Sequence, residues 1–307
     1  MTLDVVVFKF IDYVYNYLQN RTSKMRHYKK IVTVEKDIVY DESLPDVCKL
    51  DLYHIKKDTS DKYPIVFIIH GGGFVAGDKK YRRHLSSWFA EELGAYVINV
   101  NYGLGPKYYF PEIMKHFQKA LDWIYDNAEK YNFDLDNSII TGDSAGGYFS
   151  AELCAMQDDI KMQEKFNFTP KFKFKGILLN CGIYNLDKAL SVKMPFNLTN
   201  SVCKSFTGVG IDKLKQYEFI HEISPVEHVT KNFPKTCIVY SEKDIFCNGQ
   251  GQDFIEKLKE NNVYFEEYHS SKMLDNHTFP SIWKGKAAVE ANNLYISFAK
   301  RLFENKI

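Results

Sequence analysis

The stretch of sequence that decides the fold is Gly142-Asp143-Ser144-Ala145-Gly146-Gly147. The short apolar stretch 138–140 precedes it, and a helical pattern follows it to about residue 155. A serine between two glycines at a strand-to-helix turn is typical of a nucleophile elbow, which lifts the hydroxyl clear of the backbone. The helix adds amide N–H groups and a positive dipole end for a developing oxyanion. The pattern predicts Ser144 as a nucleophile, with a plain glycine-rich turn as the alternative.

A second glycine-rich turn, His70-Gly71-Gly72-Gly73, lies some seventy residues earlier in the chain. It follows the β-branched stretch 65–69, which has the composition of a strand buried on both faces. Consecutive glycines let backbone amides approach a ligand without obstruction by Cβ atoms. We therefore expect this loop to donate hydrogen bonds to an oxyanion, and His70 to shape the loop; a flexible glycine turn is the alternative.

Strand and helix patterns alternate along the chain. Strands are predicted at about 31–40, 49–54, 65–69, 96–100, 138–140, 176–180, 237–240 and 263–268. Helices are predicted at about 80–93, 112–131, 145–155, 250–260 and 281–303. Such a rhythm is typical of an α/β protein with a mostly parallel sheet and helices on both faces. Without a repeat or a flexible linker, residues 1–307 are predicted to form a single domain.

Composition narrows the choice of partners. The chain has forty basic and thirty-nine acidic side chains, which give a formal net charge of +1. This balance predicts no nucleic-acid partner. No run reaches the roughly 18 consecutive apolar residues of a membrane span, so no stable membrane insertion is expected. Six scattered cysteines form neither a C-x-x-C pair nor a cluster with histidines, which predicts free thiols, a cytoplasmic location and no metal.

Two segments do not fit the alternation of strands and helices. Residues 3–19 form an amphipathic helical pattern that can pack on the domain, cover a site or touch a membrane. Asp4 and Asp12 beside Lys9 favour packing on the protein itself, because a membrane-surface helix usually has a basic polar face. Residues 185–225 are too long for an ordinary connection and are expected to form helices or a lid.

Together with the two glycine-rich motifs, Tyr102-x-Leu104-x-Pro106 and Phe110-Pro111 resemble the hormone-sensitive-lipase-like carboxylesterases. The resemblance covers roughly residues 35–300, although the family usually has Ala-Pro where this chain has Gly105-Pro106. It implies the α/β-hydrolase fold, with an eight-stranded type of sheet and a helical cap. Residues 1–35 and 185–225 match that cap in position only. It also implies that the amides of three residues form the oxyanion hole: Gly72, Gly73 and Ala145.

The remaining catalytic groups of this superfamily follow the serine in the order acid, then histidine. Ser241-Glu242-Lys243-Asp244 leaves the predicted strand 237–240, and Asp244-x-Phe resembles the family's acid loop, with Glu242 as the alternative. Only His269 and His277 come after Asp244. His277 is favoured because His277-x-Phe resembles the family's motif and lies in a loop before the last helix. The other histidines are predicted to be structural: His27, His54, His84, His116, His221 and His228.

These residues imply a serine carboxylesterase that acts on short- to medium-chain esters through an acyl-enzyme, without a cofactor. An amide-cleaving hydrolase on the same scaffold, such as an arylformamidase or peptidase, remains an alternative, because a fold does not fix the substrate. A hydrolase-like binding protein is a second alternative. The last strand of the sheet offers an edge through which two copies could pair as a homodimer.

Overall fold

A computed structural model describes residues 2–19, 32–55 and 61–307. Eight strands are formed within these residues: β1 Thr33–Val39, β2 Lys49–His54, β3 Tyr63–Ile69, β4 Tyr96–Val100, β5 Phe133–Asp143, β6 Gly176–Asn180, β7 Lys235–Ser241 and β8 Phe265–Ser270. The α-helices of the same residues are α1 Leu3–Gln19, α2 Arg83–Leu93, α3 Phe110–Asp126, α4 Ala128–Tyr131, α5 Ala145–Met156, α6 Ile160–Phe166, α7 Leu186–Ser191, α8 Leu198–Thr207, α9 Gln250–Glu260 and α10 Lys286–Phe303.

The strands form one sheet in the order β1-β2-β4-β3-β5-β6-β7-β8. Only β2 runs against its neighbours, and the pairings from β4 to β8 are parallel. The carboxyl ends of parallel strands meet at one edge of a sheet, where ligands bind in open α/β folds. The mostly parallel, eight-stranded sheet predicted from the sequence is confirmed.

The central strands are buried on both faces, as their continuous apolar sequences require. In β3, Ile65, Phe67 and Ile69 point into the core that holds α3, α5 and α9. Val66 and Ile68 point to the opposite face, where α2 and α10 pack. This alternation follows from the two-residue period of a strand. Helices therefore cover both faces of the sheet, as predicted.

Several predicted boundaries were wrong. Strand β5 begins at Phe133 because Tyr63 and Pro64 of β3 extend the pairing across an irregularity in register. Helix α10 begins at Lys286 instead of 281, because Gly285 adopts a φ of 89° immediately before it. Residues Phe279–Ile282 form a separate 3₁₀ turn.

The two irregular segments both contain helices. Helix α1, predicted from its periodicity, packs against α8 and the 3₁₀ turns Lys79–Arg82 and Phe279–Ile282. The stretch 185–225 contains α7, α8 and two 3₁₀ turns, Pro195–Asn197 and Ile211–Gln216. The described residues include no helix with the length and apolar character needed to cross a bilayer. Of the segment 1–35, residues 20–31 lie outside the described residues, and 33–35 belong to β1.

The core of the sheet offers a direct test of this arrangement. Phe67 of β3 is fully buried. Phe67→Ala is expected to lower the free energy of unfolding by about 3–5 kcal/mol, because it removes buried apolar contacts and leaves a cavity. Urea denaturation measures the change. Tyr125→Ala, at a tyrosine that is 45% exposed, is the control and should change it by less than about 0.5 kcal/mol. Equal effects of the two substitutions would contradict the described core.

Candidate active site

Ser144 lies at the junction of β5 and α5, where the chain turns sharply. Its backbone has φ 53° and ψ −120°, outside the allowed regions for a non-glycine residue. The Ser144 amide donates to the carbonyl of Asn180 at 3.0 Å, and the Ser144 carbonyl accepts from the Tyr148 amide at 3.0 Å. The turn therefore has the strained conformation of a nucleophile elbow, fixed from both sides.

The glycines of the elbow allow the surrounding chains to approach closely. A Cβ atom on Gly142 would lie 2.3 Å from the carbonyl carbon of Gly146. A Cβ atom on Gly146 would lie 2.1 Å from the carbonyl oxygen of Ile69. Both distances are shorter than any real contact of a Cβ atom, so larger residues would push α5 away from β5 and from β3. This close approach explains why the sequence has glycine at positions 142 and 146.

The second glycine-rich turn begins where β3 ends, next to the elbow. Gly72 and Gly73 have φ values of 134° and 59°, which favour glycine. Both glycines line a cavity that Ser144 also lines. Ala145 follows the serine as the first residue of α5 and is buried. The structure thus brings the three residues predicted to form an oxyanion hole to the same end of the sheet as Ser144.

His70 stabilises the glycine-rich turn through contacts of its ring and its backbone carbonyl. Its ring stacks on Tyr102 with centroids 4.5 Å apart, and the Tyr102 hydroxyl donates to the His70 carbonyl at 2.7 Å. Its Nδ1 lies 2.8 Å from the carbonyl oxygen of Gly71. Burial lowers the pKa of His70 to about 4, which favours the neutral ring. These contacts agree with a structural role.

Asp244 and His277 form a buried pair beyond the ends of β7 and β8. His277 Nδ1 lies 2.9 and 2.8 Å from the two carboxylate oxygens of Asp244. The amides of Phe246 and Cys247 each donate to Asp244 Oδ1 at 2.8 Å. Burial raises the pKa of Asp244, but His277 and these two amides outweigh that effect and leave it below its ordinary value. The ionised carboxylate can therefore orient the ring of His277.

The alternative candidates, Glu242 and His269, pair with each other instead. His269 Nε2 lies 3.4 Å from Glu242 Oε1, and the two side chains are 47% and 39% exposed. The ring of His269 stacks on Tyr240 at the solvent-facing side of β8. An exposed pair of this kind contributes little to the free energy of folding. Neither residue lines the cavity of Ser144.

The remaining histidines have structural surroundings, except that His27 lies outside the described residues. His54 stacks on Tyr96, and His84 is buried in α2. His116 Nδ1 accepts a hydrogen bond from the Gly103 amide at 3.1 Å. His228 Nε2 lies 2.7 Å from the carbonyl oxygen of His221.

Helix α1 closes one side of the site, which is one of the roles that the sequence left open for residues 3–19. Four of its residues line the cavity together with Ser144 and His277: Phe8, Ile11, Asp12 and Tyr15. The Tyr15 hydroxyl donates to the backbone carbonyl of His277 at 2.5 Å. The ring of Phe8 occupies the space that a Cβ atom on Gly73 would need, at 2.5 Å. Helix α1 thus touches both the histidine loop and the glycine-rich turn.

An apolar cavity, partly open to solvent, extends from Ser144 toward α7 and α8. It is lined by side chains of the segment 185–225, including Leu186, Leu190, Met194 and Val202. At one wall Phe74 stacks on Phe206 with centroids 4.0 Å apart. Such a lining suits an acyl chain or another apolar group attached to the reacting carbonyl.

The sequence did not predict the buried ion pair that Arg82 and Asp143 form beside the elbow. Arg82 donates to both carboxylate oxygens of Asp143, each at 2.5 Å. Burial by itself lowers the pKa of Arg82. The charge of Asp143 and its hydrogen bonds outweigh that effect and raise the pKa above its ordinary value, so the guanidinium stays charged. The pair joins the 3₁₀ turn before α2 to the residue that precedes Ser144. Asp143 belonged to the quoted motif, but nothing in the sequence identified a partner 61 residues away.

One buried group has the residue types of a metal site: Asp244, Cys247 and His277. Its candidate ligand atoms lie within 4.8 Å of one another. The carboxylate oxygens already accept hydrogen bonds from the histidine ring and two amides. Burial raises the pKa of the Cys247 thiol well above its ordinary value, which favours the protonated form that does not bind metals. The residues therefore fit a hydrogen-bonded pair better than a metal centre.

Fold and site together place this chain in the class of α/β hydrolases. It belongs to the BD-FAE family, whose model matches residues 50–258. An alpha/beta hydrolase of Acanthamoeba polyphaga mimivirus is 30% identical over 247 residues, which are 78% of this chain and 66% of that protein. Arylacetamide deacetylase of Bos taurus is 38% identical over 138 residues, 43% of this chain and 34% of the relative. The chain thus spans less than two thirds of these relatives.

The match to solved structures supports the fold over nearly the whole chain. Esterase B from Lactobacillus rhamnosis superposes with a TM-score of 0.79 and 21% identity, covering 99% of this chain and 98% of that one. Further relatives, both from Mycobacterium tuberculosis, are named as a carboxylic ester hydrolase and an esterase. The resemblance to hormone-sensitive-lipase-like carboxylesterases is thereby confirmed.

Asp12 of α1 is an unusual member of the cavity wall because it is a buried carboxyl. Within the described part of the chain, its Oδ2 has no hydrogen-bond partner. Burial raises the pKa of Asp12 from 3.8 to about 7, although the nearby Arg82 lowers it. The folded protein therefore binds one more proton at Asp12 than the unfolded chain between these two pH values.

This extra proton predicts a pH-dependent effect of Asp12→Asn. Rising pH removes the proton that the folded state prefers, so Asp12 destabilises the protein by up to about 1.4 kcal/mol per pH unit across this window. The neutral amide of the variant would carry no such penalty. The stability of the variant relative to the wild type should therefore rise as the pH increases from 3.8 to about 7, and then level off. Urea denaturation across this range provides the measurement, and a difference independent of pH would contradict the shift.

Proposed function

We propose that this protein hydrolyses carboxylic esters through an acyl-enzyme formed on Ser144. The observation that carries the proposal is a single cavity lined by the strained serine, by Gly72 and Gly73, and by His277. His277 is itself held by the ionised Asp244. A nucleophile, an oriented base and backbone donors are the three parts that acyl transfer requires.

In the proposed mechanism, His277 takes the proton of Ser144 as the hydroxyl oxygen attacks the ester carbonyl. Asp244 bonds to Nδ1, so Nε2 is the nitrogen that faces the reaction. The amides of Gly72, Gly73 and Ala145 hold the oxyanion of the tetrahedral intermediate. His277 then protonates the leaving alcohol, and a water activated by the same ring hydrolyses the acyl-enzyme.

The surroundings of the serine support a cap made from the two irregular segments. Helix α1, within residues 1–35, and the helices α7 and α8, within 185–225, line the cavities at Ser144. We assign both segments to the cap of one domain, 1–307. The apolar wall at α7 and α8 favours short- to medium-chain acyl groups.

Two further proposals concern the setting of the protein. All six cysteines are free and buried, which supports a reducing compartment such as the cytoplasm. Among the described strands β8 ends the sheet, and such an edge supports pairing of two copies as a homodimer.

Ser144→Ala tests the nucleophile. Removing the hydroxyl should abolish hydrolysis of p-nitrophenyl esters from acetate to decanoate, because no acyl-enzyme can form. It should also abolish labelling by a fluorophosphonate probe. Ser191→Ala, at an exposed serine of α7, is the matched control and should keep wild-type rates and labelling. Unchanged hydrolysis by Ser144→Ala would overturn the proposal, and an unreactive wild type would favour a binding protein.

Asp244→Asn tests the acid against its alternative. An amide at this position no longer stabilises the charged imidazole and favours the wrong tautomer, so kcat should fall by roughly 10⁴-fold. Glu242→Gln changes the exposed partner of His269 and should leave kcat within about twofold. Steady-state kinetics on the preferred p-nitrophenyl ester measure both. A large loss in Glu242→Gln alone would assign the acid to Glu242.

Amide cleavage, by an arylformamidase or a peptidase, is not favoured by the names of the esterase relatives. The same site geometry would serve it, because amides and esters share the tetrahedral intermediate. Acetanilides in the substrate panel separate the two activities.

A further inference from the structure

Helix α1 has a second apolar face, which points away from the protein. Its inner face packs Val5 and Phe8 against the domain. Its outer face exposes apolar and aromatic side chains at helical spacing, among them Val6 (44%), Phe10 (67%), Tyr13 (64%) and Tyr17 (51%). A surface helix usually has polar residues on its solvent side. Contiguous exposed apolar area of this kind marks an interaction surface.

Other exposed apolar side chains border the same site. Phe196 is 88% exposed and lies two residues from Met194, which lines the cavity of Ser144. Ile245 is 62% exposed and lies next to Phe246, whose ring is 5.9 Å from that of Phe8. Leu274 is 95% exposed and lies in the loop that leads to His277. Each of these three residues is thus exposed within three positions of a residue that lines the cavities at Ser144.

An exposed lysine accompanies each of these apolar positions. Lys9 precedes Phe10, and Lys243 lies two residues before Ile245. Lys193 lies three residues before Phe196, and Lys272 lies two residues before Leu274. Cations beside exposed aromatic and aliphatic side chains match the chemistry of a bilayer surface with anionic headgroups.

We propose that the protein docks on anionic phospholipid bilayers through this surface, defined by the outer face of α1 with Phe196, Ile245 and Leu274. The apolar side chains enter the boundary between headgroups and acyl chains, and the lysines contact lipid phosphates and carboxylates. Docking turns the opening of the site toward the membrane. The chain lies on the bilayer and does not cross it.

A second copy of the chain fits this surface less well. A twofold contact sets the same patch of both copies against each other, so the lysines would meet charges of their own sign. The apolar side chains outside α1 are 62% to 95% exposed, and a fluid surface accommodates such side chains without matching pockets. The bilayer is therefore the occupant that the surface favours.

Vesicle flotation with the full chain tests the proposal. The wild type is expected to float with phosphatidylcholine vesicles that contain phosphatidylserine, and to dissociate as salt screens the lysines. Phe10→Asp and Leu274→Asp should each lower the partition coefficient by about tenfold, because a charge replaces an apolar side chain at the interface. Lys9→Glu/Lys272→Glu should weaken binding to anionic vesicles by a similar factor.

Ile160→Asp is the matched control, because Ile160 is 68% exposed but lies on α6, outside this surface. It should bind vesicles like the wild type. Circular dichroism melting shows that each variant folds and does not depend on ester hydrolysis. Absence of wild-type binding, or equal binding by all variants, would overturn the proposal. A concentration-dependent dimer that Phe10→Asp abolishes, without vesicle binding, would assign the surface to a second copy.

Discussion

The positive φ of Ser144 is the constraint on which the rest of the site depends. A non-glycine residue in this conformation costs about 1–3 kcal/mol and persists only where its surroundings fix it. Here the carbonyl of Asn180 on β6 fixes the serine amide, and the absence of side chains at Gly142 and Gly146 lets α5 lie close to β5 and β3. The parallel order of β3, β5 and β6 brings these groups to one edge of the sheet. The backbone conformation that exposes the hydroxyl is thus a product of the whole central sheet.

Local patterns in the sequence predicted the elements that local physics determines. Continuous apolar runs identified the central strands, and the glycines around Ser144 identified the turn, because close approach leaves no other residue type. Boundaries that depend on distant partners were wrong, as at β5, whose first residues are ordered by pairing with Tyr63. Contacts between distant residues left no local pattern at all: Tyr15 and His277 are 262 residues apart. Resemblance to a family supplied Asp244 and His277, which periodicity alone could not separate from their neighbours.

The buried charged groups near the elbow have opposite effects on stability: the ion pair Arg82–Asp143 stabilises the turn, and the carboxyl of Asp12 does not. Arg82 and Asp143 satisfy each other with two hydrogen bonds, so removing either partner would leave an uncompensated buried charge. Asp12 lies near the same guanidinium but retains an oxygen without a partner among the described residues. A fully hydrogen-bonded ion pair supports the turn before the serine, whereas the unsatisfied carboxyl weakens the attachment of α1 at high pH.

The hydrogen bond from Tyr15 to the His277 carbonyl links the position of α1 to the loop that carries the proposed base. Any displacement of α1 would break this bond and release that loop from one of its restraints. The position of α1 and the position of the proposed base are therefore set together by one contact between residues 262 positions apart.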